Sequence, residues 1–380
     1  MRGKTWDIFC HVVDNFGDVG VCWRMARQLA AEHALSVQLW VDDQFSLGRL
    51  CPEINVLVDD QVCQGVRVRH WVNPFPEVEV ADVVIEAFAC ELPASYLVAM
   101  AAVTPGPVWI NLEYLSAEDW VGRCHGLASP HPRLGLTKHF FFPGFTATSG
   151  GLLREANLIE HRDAFQTAAP ATTWRALGLS PPEPGESTVS LFCYENPALP
   201  ELLAGWTMNS TPLRCVVPAG IGLTQVAQIL GNSPLEVGTE LKRGNLTVCA
   251  LPFLSQEQYD RLLWSCDLNF VRGEDSFVRA QLAARPMVWH IYPQDDGSHI
   301  AKLEAFLDRY VAKLPPPASV ACGDLWMAWN RGDGAEMAAA WPEFGRSQVA
   351  MRAHAWSWSE RLCKHADLTR QLVLFCETLL

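Results

Sequence analysis

Leu268-Asn269-Phe270-Val271-Arg272-Gly273-Glu274-Asp275-Ser276-Phe277-Val278-Arg279 decides how this chain is read. Leu268–Val271 reads as a strand, and the segment from about Glu274 to Ala284 as a helix behind it. Between them stand an arginine, a glycine, two carboxylates and a serine. A loop that opens a helix presents unpaired N–H groups and a partial positive charge, which suits a phosphate or diphosphate. Gly273 lets the backbone approach a ligand closely. Ser276 and the helix N–H groups can donate to a phosphate, and Arg272 adds charge. Glu274 and Asp275 oppose a phosphate unless they bind something else, such as a sugar hydroxyl, a ribose or a cationic acceptor. The bland alternative is an ordinary helix cap with acids in its first turn.

A second loop lies far upstream. Asp14-Asn15-Phe16-Gly17-Asp18-Val19-Gly20 follows the strand-like Trp6–Val13 and opens a helix over Gly20–Glu32. A dinucleotide-binding domain places its glycine-rich phosphate loop there. With only Gly17 and Gly20, GxGxxG is absent, and two carboxylates stand in its place. They would repel a diphosphate, so the loop suits general-base work or holding a cation. A turn in which Asp18 caps the helix is the competing reading.

Working outward, strand-like and helix-like segments alternate. Ser36–Val41, Val66–Val72, Ala81–Phe88 and Val108–Leu112 read as strands, and Leu92–Ala102 as a helix. The pattern weakens from about Lys138 to Glu186 and is punctuated by Pro181-Pro182-Glu183-Pro184-Gly185, the best linker candidate. It resumes with strands at Thr188–Tyr194, Leu213–Val217, Leu246–Leu251, Leu268–Val271 and Met287–Ile291, separated by helices. Such alternation predicts an α/β fold of two doubly wound, Rossmann-like domains facing across a cleft, with ligands at the C-terminal strand ends. The expected division is 1–180, which carries the acidic loop, 187–346, which carries the phosphate-suited loop, and helices over 347–380 packing back on the first domain.

Composition bounds the rest. The chain has 380 residues, 49% of them hydrophobic and 19% charged, enough for two or three globular domains. A net charge of −13 argues against a general DNA-binding or membrane-surface role, although an acidic surface would attract a basic patch on a protein partner. No signal peptide or long uncharged apolar segment is evident. The 13 cysteines form no CxxC pair, and Cys10, Cys193, Cys215 and Cys249 lie in apolar runs, as reduced core thiols of a cytoplasmic protein would. The histidines show no ligand spacing and no DxD triplet is present, so no metal site is assigned.

One loop per domain, each at a strand end, would converge in the cleft. A diphosphate leaving group on one side and a carboxylate base on the other is the arrangement of an inverting nucleotide-sugar transferase. Phe192 and Tyr194, with Phe253, Gln256 and Tyr259, offer a pocket where a pyrimidine could stack and hydrogen-bond; core packing is the alternative. Weaker candidates also end strands: Glu86, Glu91 and Glu113 could meet a cationic acceptor or simply cap helices, and Asp295 and Asp296 could reach the cleft or form a polar turn.

These residues resemble a known family. Asp14–Val21 and Arg272–Gln281 are similar to the EarP family, the protein-arginine rhamnosyltransferases that modify bacterial elongation factor P. The similarity continues at Val83–Cys90, Glu113–Glu118, Gly150-Gly151-Leu152 and Trp289–Gln294, and so covers both halves. The resemblance implies a GT-B architecture, a dTDP-β-L-rhamnose donor and inversion to an α-linked rhamnosyl-arginine, without metal or cofactor. It implies Asp18 as base assisted by Asp14, and Glu274 as essential near donor or acceptor. Asp275 and Ser276 would hold the ribose–diphosphate part, with Arg272 supporting their loop. Phe192, Tyr194, Phe253 and Gln256 would form the thymidine pocket; at Tyr259 the family can carry Phe. Its partner would be elongation factor P, activated for rescue of stalled translation, with no nucleic acid or membrane involved. A GT-B enzyme with a glycan or small-molecule acceptor, or a non-catalytic nucleotide-sugar-binding protein, stays open on the residues alone.

Overall fold

Trp6–Cys10 are buried without interruption, the signature of a central parallel strand covered on both faces. In the computed structural model, which describes residues 3–14, 16–168, 170–231 and 234–380, this strand sits in the middle of an eight-stranded sheet. Its members are β1 (Thr5–Cys10), β2 (Ser36–Val41), β3 (Asp60–Cys63), β4 (Val66–His70), β5 (Val83–Ala87), β6 (Val108–Leu112), β7 (Ala128–Pro130) and β8 (Thr137–Phe141). Their spatial order is β3-β4-β2-β1-β5-β6-β8-β7. The pairs from β4 through β8 are parallel, and β3 and β7 close the edges antiparallel. From β1 the chain winds one way to β2 and β4, then returns beside β1 as β5 and winds the other way. The order therefore reverses between β1 and β5, and the loops leaving their C-terminal ends frame a crevice.

A second sheet repeats the plan. β9 (Ser187–Leu191), β10 (Leu213–Pro218), β11 (Glu240–Arg243), β12 (Leu246–Leu251), β13 (Leu268–Arg272) and β14 (Met287–His290) lie in the order β11-β12-β10-β9-β13-β14. All pairs are parallel except β11 with β12. Here the reversal falls between β9 and β13, which register as Leu268 on Val189 and Phe270 on Leu191.

Two compact units result: Met1–Ala156 with Cys363–Leu380, and Asn157–Leu362. The division falls ahead of the proline cluster rather than at it. Trp174 and Leu177 bury their side chains against Val216, Cys249 and Leu262, which binds that segment to the second unit. The helix Gln348–Cys363 also stays with the second unit, where Trp358 donates to Gln281 Oε1 at 2.9 Å and packs on Tyr310. Only the final helix, Leu368–Glu377, belongs to the first unit, its Leu368 N–H bonded to the Leu152 carbonyl at 2.9 Å.

Aromatic side chains dominate both cores. Phe9, Trp40, Tyr96 and Trp109 cluster in the first unit, and Trp206, Phe270 and Trp329 meet edge-to-face in the second. Each such ring buries a large apolar area and fixes the layers around it. Cys10, Cys193, Cys215 and Cys249 are buried, and all 13 cysteines are free thiols. Asp7 is also buried in the first core. Burial pushes its carboxyl up to about 6, against hydrogen bonds from Tyr96 (2.6 Å) and Gln38 (2.9 Å) that favour the charged form. Among the described residues no helix is long and apolar enough to cross a membrane.

Candidate functional site

The β1 loop is built around Asp18, in the first turn of the helix Gly17–His33. Its side chain is 2% exposed and does not cap that helix. Instead Oδ2 accepts from the N–H groups of Val13 and Asp14, both at 2.9 Å, and so ties the end of the strand's loop back to the helix. Oδ1 accepts from the Tyr114 hydroxyl at 3.2 Å. Asp14 faces the same turn: its carbonyl accepts from the Gly17 N–H at 2.6 Å. A Cβ at position 17 would lie 2.6 Å from Asp14 Oδ2, so a larger residue there would push the Asp14 carboxylate from its place in the loop. Asn15 lies outside the described residues.

Sequence reasoning missed Tyr114, which is 96 residues from Asp18 in the chain and follows β6. Its ring stacks on Phe88, with centroids 4.4 Å apart and planes 17° apart. Phe88 follows β5 and donates its N–H to the Leu112 carbonyl at 2.7 Å. Phe88, Ala89 and Glu91 all have left-handed backbone, with φ of 57°, 53° and 50°. Each such non-glycine residue costs roughly 1–2 kcal/mol, and clusters of them mark places where surrounding structure enforces a geometry. Asp18, Phe88 and Tyr114 thus leave the C-terminal ends of β1, β5 and β6, at the reversal of the first sheet.

Two of the other acids at strand ends do different work. Glu86 is buried, bonded to Trp109 Nε1 (3.1 Å) and paired with Lys138 Nζ (3.2 Å). It neither caps a helix nor faces solvent. Asp296 accepts from the Ser298 N–H at 3.0 Å and shapes a turn.

In the second unit the β13 loop turns at Gly273, whose φ of 61° favours glycine. The loop is latched from beneath. Trp289 Nε1 donates to the Gly273 carbonyl at 2.7 Å, and Gly273 N–H donates to the His290 carbonyl at 3.2 Å. The Trp289 ring also stacks on Phe277 at 3.8 Å. Glu274 is the N-cap of the helix Asp275–Leu282 and makes no side-chain cap bond. Arg279 and Asp260, both buried, form a two-bonded ion pair (2.9 and 2.7 Å) that fixes this helix to Gln256–Ser265. The Ser276 hydroxyl donates to the Arg272 carbonyl and accepts from the Arg272 N–H at 3.0 Å, closing the turn. It therefore shapes the loop in this structure, where the sequence pointed to a phosphate donor.

Arg272 is 8% exposed, and no carboxylate ion-pairs with it among the described residues. Its guanidinium lies 4.6 Å from the Phe192 ring centre and 4.4 Å from that of Tyr194. A buried cation on aromatic faces and the N–H groups of a helix N-terminus are both chemistry that suits an anion. Burial first, and then the Arg272 charge, push His290 down to about 3, so the imidazole behind the site is neutral. Phe192 meets Tyr259 edge-to-face at 5.5 Å, and Tyr194 meets His290 and Tyr292 at 5.2 and 5.5 Å. Gln256 Nε2 donates to Asp275 Oδ2 at 3.3 Å. Phe253 is half-buried, ahead of a helix capped by Ser255. Phe192, Tyr194, Gln256, Arg272, Asp275 and Ser276 are thus linked around the reversal between β9 and β13, while Phe253 follows β12. Phe192 and Tyr194 also serve as the seat of Arg272, a contact their spacing did not reveal. Among the described residues no group of three His, Cys, Asp or Glu side chains is placed to hold a metal ion.

The family model described as Elongation-Factor P (EF-P) rhamnosyltransferase EarP matches residues 6–377. A protein-arginine rhamnosyltransferase of Pseudomonas putida is 51% identical over 372 residues, 98% of each chain. A solved structure described as "Structural basis for EarP-mediated arginine glycosylation of translation elongation factor EF-P" matches with a TM-score of 0.70 and 38% identity, over 99% of each chain. A spinosyn rhamnosyltransferase structure, at 12% identity and TM-score 0.51 over the whole of each chain, shares the fold alone. The chain is a glycosyltransferase of GT-B architecture and belongs to the EarP family of protein-arginine rhamnosyltransferases.

Proposed function

We propose that this protein transfers L-rhamnose from dTDP-β-L-rhamnose to an arginine of elongation factor P in the cytoplasm, with inversion and without a resident metal or cofactor, and so activates the factor for rescue of stalled translation. The observation that carries this reading is that each unit concentrates its chemistry at the reversal of its own sheet. Carboxylates stand there in the first unit, and a guanidinium on aromatic faces beside a helix N-terminus in the second. The family membership supports the sugar and the acceptor.

In this mechanism an acceptor guanidinium nitrogen attacks the anomeric carbon from the face opposite the leaving group. The C–N bond forms as the bond from carbon to the dTDP oxygen breaks. The protonated guanidinium is a weak nucleophile, and a ground-state carboxylate does not deprotonate it. Asp18, assisted by Asp14, orients it and accepts its proton as the new bond develops. A positioned base of this kind contributes roughly 10²–10⁴-fold. The bond pair leaves with dTDP, whose charge Arg272 and the N–H groups opening Asp275–Leu282 stabilise. Asp275 and Gln256, already bonded to each other, face the nucleoside with Phe192, Tyr194, Phe253 and Tyr259. Glu274 acts near the donor or the acceptor, and Ser276 holds the loop in shape.

Incubation with dTDP-rhamnose and purified elongation factor P, followed by intact-mass measurement, tests the reading. The expected result is addition of one deoxyhexose, abolished when the acceptor arginine is replaced. An unmodified factor alongside measurable donor turnover on another acceptor would overturn it.

A further inference from the structure

The Val13 and Asp14 N–H groups and the Tyr114 hydroxyl already hold Asp18 in place, yet the structure also builds an aromatic plate around that hydroxyl. Phe88 reaches Tyr114 through left-handed backbone, with two more residues of the same loop in that conformation. Such a segment persists where its surroundings enforce it. The outcome is a stacked pair with Tyr114 39% exposed and Phe88 half-buried. The plate adjoins Asp18 directly, because the Tyr114 hydroxyl that lies in it donates to Oδ1. A carboxylate oxygen offers about two acceptor directions. Tyr114 takes one of those on Oδ1, and no other donor among the described residues is bonded to that atom. An aromatic face beside a carboxylate oxygen with acceptor capacity left is the chemistry that recognises a planar, delocalised cation bearing N–H groups.

We infer that Phe88 and Tyr114 form the seat of the acceptor arginine, an inference that rests on the reaction proposed above. The guanidinium stacks on the ring surface and directs one N–H to Asp18 Oδ1, while the Tyr114 hydroxyl fixes the carboxylate's rotation. Phe88 and Tyr114 are then positioning residues with a part in specificity. A compact, strongly hydrated lysine ammonium cannot stack in the same way, so the plate selects arginine over lysine.

The test uses the full-length protein. Phe88→Leu removes one ring of the plate while keeping apolar bulk. A lost cation–π contact predicts an acceptor KM raised between about two- and thirtyfold, with dTDP affinity unchanged by calorimetry. Phe88→Trp restores the wild-type KM or lowers it. Tyr114→Phe keeps the ring but removes the bond to Asp18 Oδ1 while Oδ2 stays held, so kcat falls about tenfold at constant KM, in line with loss of one hydrogen bond to a charged group. An unchanged acceptor KM in a folded Phe88→Leu protein overturns the inference. Should that variant lose its fold, Tyr114→Leu supplies the same readout. Saturation-transfer NMR with N-acetylarginine amide decides the matter independently of turnover. Contact in the wild type that is lost in the leucine variant supports the plate, and equal contact in both overturns it. A wild-type protein that binds this probe but does not modify elongation factor P would refute the proposed acceptor and leave the plate standing.

Discussion

Asp18→Asn separates base from scaffold, because the structure assigns different tasks to the two carboxylate oxygens. Oδ2 accepts the Val13 and Asp14 N–H groups, and an asparagine carbonyl can accept both in the same place. Its NH₂ then faces the Tyr114 hydroxyl, which is able to accept. The loop should therefore keep its shape while the proton acceptor disappears. Loss of a general base predicts a fall in kcat of about 10²–10⁴-fold, or about 2.7–5.4 kcal/mol in the barrier. The proposed dTDP site belongs to the other sheet, so nucleotide affinity should be unchanged. Initial rates of rhamnosyl transfer by intact-mass analysis, paired with dTDP titration calorimetry, measure both quantities. Equal loss of both, or a rate within a few-fold of wild type, would refute the assignment of Asp18 as the base.

Other perturbations address the second site and the cores. Arg272→Met removes the cation seated on Phe192 and Tyr194 and should weaken dTDP binding about 10–100-fold, the scale of a charge-assisted hydrogen bond; unchanged affinity in calorimetry would remove Arg272 from the donor site. Asp260→Asn leaves the buried Arg279 guanidinium without its charge partner and should cost about 3–5 kcal/mol of stability. Denaturant unfolding reads this directly, and a change near zero would contradict the buried pair. Asp7 carries a pH signature. Its folded-state carboxyl binds its proton up to about pH 6 against an ordinary value of 3.8, so the folded chain holds more protons between these values. Stability from this group is present below that window and lost as pH rises through it, by about 3 kcal/mol at most. Asp7→Asn should therefore gain stability relative to wild type between pH 4 and pH 7; a constant difference across that range would refute the raised carboxyl.

Both sheets were legible in the sequence because their central strands are short runs rich in β-branched and aromatic residues that end in loops rich in Gly, Asp and Ser. Leu268–Val271 and Ser36–Val41 gave strands at nearly their observed limits. Edge strands were harder: β3, β7 and β11 are short, mostly exposed and carry no apolar run. The unit division at 156/157 turns on Trp174 and Leu177 finding a core beyond them, which local composition does not express. Within the site, the residue types at the strand ends were readable, but their partners were not. The bond from Tyr114 to Asp18 and the seat of Arg272 on Phe192 and Tyr194 are tertiary contacts across many residues. Ser276 is instructive in the opposite sense. A hydroxyl at a helix start reads as a ligand donor, yet its nearest acceptor is its own loop's Arg272 carbonyl.

A ternary structure with unreactive donor and elongation factor P tests the central claim most directly. It should show an acceptor arginine with one nitrogen hydrogen-bonded to Asp18 and roughly 3–3.5 Å from the anomeric carbon, opposite the diphosphate. An arginine held away from Asp18, or an anomeric carbon reached only from the diphosphate side, would contradict it.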